Sequence, residues 1–224
     1  TVGDISTSAE AVEVLDRFSI VVSPTVSRIM KSDESETPAP NDRSLQFSQH
    51  AVVAGPGKAL EAASDHAKNL GFNVINLGDQ VEGLAVEIAK SHAHLIRTKK
   101  LFEHNQRTLL LSGGEATVKV AGEGSGGPNQ EYLLALAIEL NGLENLFGIA
   151  CDTDGIDGAT TAAGAVITPS TLSRAAEHGI SPKNCLENND AGSFFSLLDD
   201  LVTTGPTYTN VNDFRAIAYI PNSD

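Results

Sequence analysis

The chain has 224 residues, of which 41% are hydrophobic, and carries a formal net charge of −14. An acidic surface of this kind repels nucleic acids and anionic lipids, and no stretch approaches the ~20 apolar residues of a membrane span, so we expect neither partner. Cys151 and Cys185 stand far apart without metal-ligand spacing, which favours reduced thiols in a cytoplasmic protein.

Residues 1–48 predict two short helices followed by a polar segment. The helices are expected within 8–30, with Ser8 as the N-cap of the first and a break near Ser23 and Pro24. Residues 31–48 are polar and contain two prolines, which is typical of a linker or a long exposed loop.

Residues 49–104 alternate between strand and helix patterns. The sequence predicts a buried strand at 50–55, a helix at 55–71, a strand at 72–78 and a long helix at 81–104. A βαβα order of this kind implies parallel strands joined by right-handed crossovers.

The remaining residues complete an α/β pattern. Two strands, at 109–114 and 116–122, flank Ser112–Glu115, and the short turn between them predicts a β-hairpin. The other predicted elements are a buried helix at 129–140, a buried strand at 146–151, three short helices between 171 and 200, and a final strand at 214–220. The expected fold class is therefore α/β, with a mixed, mostly parallel sheet, flanking helices and a β-hairpin.

A glycine-rich loop, GEGSGGPN, lies just before the buried helix. A helix N-terminus offers unpaired N–H groups and partial positive charge, which suit an anion. Gly124, Gly126 and Gly127 would let the backbone approach such a ligand closely, and Pro128 suits the first helical turn. The alternative is a connector that binds no ligand.

Three of the loop glycines also fit the pattern GxGxxG. Gly122, Gly124 and Gly127 would then mark a dinucleotide site, with Asp152 as the ribose-binding acid. The match is weak, because the preceding strand resembles half of a hairpin and the acid comes later than the usual ~20 residues.

Two polar loops supply further candidate residues. ACDTDGIDG places Asp152, Asp154 and Asp157 just after a buried strand, where carboxylates can hold Mg²⁺ or position a hydroxyl; the alternative is a turn with local hydrogen bonds. The segment 203–213 is rich in hydroxyls and amides that could bind a polar ligand or cap local backbone. Glu115 is a candidate acid at a strand end. The six histidines show no metal or catalytic pattern and are expected to be structural or surface residues.

Four motifs together resemble a known family. LLSGGEATV, GEGSGGPNQE, DTDGIDGATTAAGA and TGPTYTNVND occur in the order and spacing of the C-terminal MOFRL domain of type II glycerate 2-kinases, also described as TtuD-like hydroxypyruvate reductases. On this resemblance, residues 1–48 are a remnant of an N-terminal domain plus a linker. Residues 49–224 are a MOFRL-type α/β domain, with 49–104 as a βαβα lead-in and 105–224 as the part that carries the motifs.

The resemblance implies an ATP- and Mg²⁺-dependent kinase that phosphorylates D-glycerate. The cleft would be completed by the family's N-terminal domain, so the isolated chain is expected to be inactive; a homodimer is compatible with the sequence. Glu115, Asp154 and Asp157 would be catalytic, with Asp154 and Asp157 also holding the metal. The implied substrate- or nucleotide-binding residues are Gly113, Gly114, Gly124, Gly126, Gly127, Asn129, Gln130, Glu131, Thr207, Asn210, Asn212 and Asp213.

Two other functions stay open. One is an NAD(P)H-dependent hydroxypyruvate reductase, on the literal GxGxxG and the family's second description. The other is a non-catalytic ligand-binding module, because Ser125 and Pro128 stand where the family loop often has arginine. From residue 108 onward the only lysines and arginines are Lys119, Arg174, Lys183 and Arg215, which is little positive charge for phosphoryl transfer.

Overall fold

The computed structural model describes residues 3–32, 35–49, 51–99, 101, 106–141 and 143–222. It divides into two compact units, Thr1–Val53 and Ala54–Asp224. The start of the predicted strand at 50–55 and the end of the predicted helix at 81–104 fall partly outside the described residues. No helix within the described residues is both long and apolar enough to cross a membrane.

The first unit contains the two predicted short helices, α1 (Ser8–Arg17) and α2 (Pro24–Met30), and a 3₁₀ helix at Arg43–Leu45. The N-cap of α1 is Thr7, so the prediction of Ser8 is wrong by one residue. Thr7 and Glu10 form a capping box, in which each side chain accepts the backbone N–H of the other. Neither helix contains a buried residue.

The second unit contains the rest of the secondary structure. Its elements are α3 (Pro56–Asn69), β1 (Asn73–Asn76), β2 (Gly83–Leu84), α4 (Ala85–Thr98), β3 (Thr108–Gly114), β4 (Ala116–Thr117), α5 (Pro128–Glu139), β5 (Leu146–Asp152), β6 (Gly164–Ile167), α6 (Thr171–Glu177), α7 (Pro182–Glu187), α8 (Ala191–Leu197), β7 (Leu201–Val202) and β8 (Asp213–Tyr219). The predicted strand at 50–55 is wrong: residues 51–55 form no strand, and Val52 and Val53 are exposed. The short strands β2, β6 and β7 were not predicted from the sequence.

The main sheet has the order β1-β3-β8-β5-β6-β7. Four of these strands, β1, β3, β5 and β7, run in one direction, but β8 lies between β3 and β5, and β6 lies between β5 and β7. Among the described residues of this sheet, β1–β3 is therefore the one parallel pairing. The expected α/β class, with a mixed sheet and flanking helices, is confirmed. The prediction of a mostly parallel sheet is correct in that most strands point the same way, but most neighbouring strands pair in antiparallel fashion.

The predicted hairpin around Ser112–Glu115 is wrong. The neighbours of β3 are β1 and β8, whereas β4 pairs in parallel with β2 in a separate two-stranded sheet. Both edges of β3 are thus occupied, which leaves no place for a hairpin partner. Gly114 adopts a φ of 127° where the chain leaves the sheet, and a Cβ there would lie 2.4 Å from the carbonyl oxygen of Val81.

Helices α3 and α5 cover opposite faces of the sheet. A Cβ built on Gly113 would contact Leu60 of α3, and one on Gly148 would contact Leu133 of α5. The β8 partners of these two glycines are three residues apart, and side chains three apart in a strand point to opposite faces. Helix α5 is buried along most of its length, as its apolar sequence predicts, and packs against β5, β6 and α4.

Three strands, β1, β3 and β5, end at the edge of the sheet where β8 begins. Across this edge Gly114 pairs with Asp213, and Asp213 pairs with Asp152. The loops that carry the predicted motifs therefore leave the sheet side by side.

Candidate functional site

Asp213 connects three secondary-structure elements at this edge of the sheet. It is 6% exposed, and its carboxylate accepts three hydrogen bonds: Oδ1 from Asn129 Nδ2 at 2.7 Å, and Oδ2 from the N–H of Ala116 at 2.7 Å and from Arg215 Nη2 at 2.5 Å. These donors belong to α5, β4 and β8. The Asp213 carboxylate thus holds the start of β4 and the start of α5 against the end of the main sheet.

Arg215 is completely buried, at 0% exposure, although it is one of the few cations in this half of the chain. Its guanidinium lies 5.5 Å from the centroid of the Tyr132 ring, within range of a cation–π interaction, and its Nε has no hydrogen-bond partner in the described part of the chain. The Tyr132 hydroxyl is 2.8 Å from Nδ1 of His92. Burial, with a smaller contribution from the positive charge of Arg215, lowers the pKa of His92 to about 4.

Arg215 was not predicted as a site residue from the sequence. A signal was present: residues 213, 215 and 217 alternate along β8, so Arg215 shares a face with the buried Ile217. His92 is buried, which agrees with its expected structural role.

Asp157 occupies the position where an anion was expected. It is 1% exposed; its Oδ1 accepts the N–H of Asn129 at 3.0 Å, and its Oδ2 accepts the N–H of Gln130 at 2.9 Å. Pro128 has no N–H, and the N–H of Glu131 bonds to the carbonyl oxygen of Gly127. The prediction that this helix start offers free N–H groups to a ligand is therefore wrong, because a carboxylate of the same chain already binds them.

The surroundings of Asp157 favour its protonated form. Burial is the largest effect and raises its pKa to about 6, with a further upward contribution from the negative charge of Asp213; the hydrogen bonds from Asn129 and Gln130 oppose this shift.

The acidic loop and the hydroxyl-rich loop pack together. Asp154 Oδ1 accepts the N–H of Ile156 at 2.8 Å, Oδ2 accepts Asn210 Nδ2 at 3.3 Å, and the carbonyl oxygen accepts the N–H of Thr207 at 2.9 Å. Asn210 Oδ1 in turn accepts the N–H of Asn212 at 2.7 Å. Four predicted residues, Asp154, Thr207, Asn210 and Asn212, therefore lie in one cluster.

Asp152 joins this cluster from the end of β5. Its Oδ1 accepts the N–H of Asp154 at 3.0 Å. The pKa of Asp152 is raised, chiefly by burial and also by the charges of Asp154 and Asp213, against a lowering by the Asp154 backbone hydrogen bond. The cluster is thus a region of crowded negative charge that a cation would relieve.

The glycine-rich loop packs against the corner between α7 and α8. Asn189 Oδ1 accepts the N–H groups of Ala121 and Gly122, and the carbonyl oxygen of Asn188 accepts that of Gly124. A Cβ on Gly124 would lie 2.4 Å from the Cβ of Asp190. Glycine is therefore required at Gly124 by contact between two backbone segments, and this contact also consumes the N–H groups that a dinucleotide pyrophosphate would need.

The remaining predicted site residues lie either at the edge of the sheet where β3 ends or in and beside the glycine-rich loop. Glu115 is exposed directly after β3. The backbone of Gly113 bonds to Gly78 and Val81. Gly124, Gly126, Gly127 and Glu131 instead line a cavity of about 330 Å³ beside the loop.

The acidic cluster fits a weakly coordinated Mg²⁺ better than a closed metal site. Among the described residues no group of three or more His, Cys, Asp or Glu side chains could hold a metal ion. Mg²⁺ commonly uses only one or two carboxylates together with substrate phosphates, and Asp152 and Asp154 provide that number. Asp157 fits less well than predicted, because it is 1% exposed and its two oxygens accept three hydrogen bonds from Asn129 and Gln130. Asp154 is partly exposed, and each of its oxygens accepts one hydrogen bond.

Comparison with known proteins places these features in a family. Residues 108–213 match the model of the MOFRL family. A protein of Agrobacterium vitis named "Putative hydroxypyruvate reductase" is 40% identical over 97% of this chain and 50% of its own length. The D-glycerate 2-kinase of Thermotoga maritima is 34% identical over 94% of this chain and 49% of its own length.

Solved structures agree with these relatives. A glycerate kinase from Thermotoga maritima superposes with a TM-score of 0.79 at 33% identity, covering 96% of this chain and 51% of that one. A protein of Pyrococcus horikoshii gives a TM-score of 0.78 at 28% identity, covering 99% and 52%. The chain therefore spans about half the length of the relatives it matches.

Proposed function

This chain belongs, through residues 108–213, to the MOFRL family, and from that membership we propose that it is the C-terminal portion of an ATP- and Mg²⁺-dependent glycerate 2-kinase. Its substrates would be D-glycerate and ATP. The resemblance to glycerate 2-kinases extends over nearly the whole chain in both sequence and fold, which supports a phosphotransferase over an unrelated activity.

One observation carries the assignment of the site. Asp213 and Asp152 are paired across neighbouring strands at the sheet edge, and the Asp154 loop is bonded to the loop that leads into Asp213. Ligands of open α/β proteins bind at this kind of edge, outside the carboxyl ends of strands. The cluster combines carboxylates for a cation with amides and hydroxyls for a polar metabolite.

Each group has a proposed role. Asp152 and Asp154 would hold Mg²⁺, which when bound supplies positive charge against the triphosphate. Asn210 and Asn212 would orient glycerate. Glu115, an exposed carboxylate at the strand end, would accept the proton of the substrate hydroxyl as its oxygen bonds to the γ-phosphorus and ADP leaves.

Asp157 and Asp213 act indirectly in this proposal. Asp157 caps α5, and Asp213 joins α5 to β4 and β8, so both position the site without needing to touch the substrates. Phosphoryl transfer also needs cations, yet Arg215 is buried against Asp213 and Arg174 pairs with Asp200. We therefore infer that part of the positive charge comes from residues beyond this chain, and that the chain alone is inactive.

The test uses the complete natural polypeptide with ATP, Mg²⁺ and D-glycerate. Formation of ADP and of a phosphoglycerate, followed by ³¹P NMR, is the expected result. A parallel sample receives NADH or NADPH and hydroxypyruvate, since one relative is named for that reaction. Oxidation of the reduced nucleotide without phosphoryl transfer would contradict the kinase proposal and support a hydroxypyruvate reductase. The absence of both, beside an active glycerate 2-kinase as control, would favour a non-catalytic module.

A further inference from the structure

Tyr208, in the hydroxyl-rich loop of the proposed site, has an unusual backbone conformation. Its φ is 59°, in the left-handed region, and its side chain is 97% exposed. Six described non-glycine residues have a positive φ, and four of them are Asn or Asp, the residue types that tolerate this conformation best. Tyr208 is the one bulky residue in that set, and a left-handed φ is a strained conformation for a bulky side chain.

The loop is fixed to the acidic loop on both sides of Tyr208. Before it, the N–H of Thr207 donates to the carbonyl oxygen of Asp154 at 2.9 Å, and the Thr207 hydroxyl donates to the carbonyl oxygen of Thr153. After it, Asn210 Nδ2 donates to Asp154 Oδ2 at 3.3 Å. The backbone of Tyr208 is therefore held within two residues of groups that contact Asp154, beside the proposed Mg²⁺ site.

The ring of Tyr208 is available to a ligand. At 97% exposure, packing within the chain covers almost none of it, so its apolar faces are in water. A nucleobase that stacks on an aromatic side chain gains affinity whatever its identity, because every base has a π-face. The proposed substrates are ATP and D-glycerate, and adenine is the only aromatic group in the two.

We propose that Tyr208 contacts the nucleotide, with its ring stacked on the base of the ATP whose Mg²⁺ Asp152 and Asp154 would hold. The inference rests on the proposed kinase and deepens it by assigning the base contact to one residue. Stacking uses the face of the base and not its hydrogen-bonding edge. Tyr208 should therefore strengthen the binding of ATP and GTP alike, and contribute nothing to a phosphate chain that lacks a base.

The test is calorimetry of Mg-ADP binding to the complete polypeptide, with Mg-tripolyphosphate as the ligand without a ring. Tyr208→Leu keeps an apolar side chain but removes the aromatic ring, so it should weaken Mg-ADP about tenfold and leave Mg-tripolyphosphate unchanged. Tyr208→Phe keeps the ring and should bind Mg-ADP like the parent. The matched control is Phe47→Leu, at an aromatic position of the first unit that is 88% exposed, and it should change neither affinity.

Tyr208→Gly adds a second measurement, because glycine adopts a positive φ without strain. This variant should raise the midpoint of thermal unfolding and weaken Mg-ADP as Tyr208→Leu does. The control is Asp199→Gly, at another exposed position with a φ of 57°, which should leave Mg-ADP binding unchanged. A lower midpoint in Tyr208→Leu would show that the ring packs within the complete protein, and would overturn the base contact.

The outcomes separate this inference from the kinase. Phosphorylation of glycerate by Tyr208→Leu with the parent KM for ATP would leave the kinase standing and overturn the base contact. Equal weakening of Mg-ADP and Mg-tripolyphosphate, or a loss in Tyr208→Phe as large as that in Tyr208→Leu, would also overturn it. No binding of Mg-ADP to the parent would contradict both proposals. A loss in Tyr208→Leu that is confined to Mg-ADP would support the base contact even without phosphoryl transfer.

Discussion

Asp213 and Arg215, two residues apart in β8, form a buried ion pair in which Oδ2 and Nη2 are 2.5 Å apart. They lie on the face of the sheet that α5 covers, and Asn129 of α5 completes the contacts of Asp213. The pair therefore joins the stability of the sheet edge to the arrangement of the proposed site.

Removing the cation from this pair should be costly. Arg215→Met leaves Asp213 buried without its charged partner, and breaking a buried ion pair on one side commonly costs ~3–5 kcal/mol. Urea unfolding should show a loss of this size, with partial recovery in Arg215→Lys. The matched control is Arg174→Met, because the Arg174–Asp200 pair is more exposed. If Arg215→Met and Arg174→Met lose the same free energy of unfolding, the buried pair contributes no more to stability than the exposed one.

Asp157 should make stability depend on pH in a recognisable direction. Its folded-state pKa is raised from 3.8 to about 6, so its contribution is fully present below pH 3.8 and is lost as the pH rises through about 6. The shift corresponds to as much as ~3 kcal/mol. The free energy of unfolding, measured from pH 4 to 7 in the parent and in Asp157→Asn, should differ by an amount that changes across this window. A constant difference contradicts the assignment; Asp65→Asn, at an exposed position, is the control.

His92 should act in the opposite direction. Its pKa is lowered from 6.5 to about 4, so the unfolded chain takes up its proton first, and stability is lost as the pH falls from about 6.5 towards 4. His92→Gln should remove as much as ~3 kcal/mol of this acid-side loss. The NMR titration of the ring gives the pKa directly. In Arg215→Met the pKa of His92 should move upward, because the positive charge of Arg215 contributes to the lowering. An unchanged pKa of His92 in this variant would show that the charge of Arg215 does not act on the His92 ring.

The glycine-rich loop should tolerate alanine unequally. A Cβ on Gly124 or Gly127 would lie 2.4 Å from atoms of Asp190 or Asp157, whereas the nearest atom to a Cβ on Gly126 is 3.2 Å away. Forced overpacking typically costs ~1–3 kcal/mol. Thermal unfolding should therefore show larger losses for Gly124→Ala and Gly127→Ala than for Gly126→Ala. If Gly126→Ala is the most destabilised of the three, the packing explanation for these glycines is wrong.

The sequence predicted best where a single local pattern decides the structure. The run after Asn129 is apolar on nearly every side, so a buried helix is the only way to remove it from water. The acidic residues after β5 follow a buried strand, which leads them to the sheet edge.

Contacts between distant segments were beyond a local reading. The carboxylate of Asp157 binds N–H groups 28 and 27 residues earlier in the chain, and Asn189 reaches across 67 residues to Gly122. The sequence shows glycines and acids in these places but not which segment they meet. The hairpin prediction was wrong for the same reason. The strand that pairs with β3 in antiparallel fashion is β8, which lies about 100 residues later in the sequence (Ser112 pairs with Arg215).

The most direct measurement of the central claim is the rate of ATP-dependent D-glycerate phosphorylation by the complete polypeptide carrying Asp154→Asn. The proposed cluster predicts a fall in kcat of about 100-fold or more, because a ligand of the Mg²⁺ that offsets the negative charge of the transferring phosphoryl group is lost. Asp65→Asn, an exposed change in α3, should retain the parent rate. A folded Asp154→Asn enzyme with the parent kcat would contradict the placement of the site at this edge of the sheet.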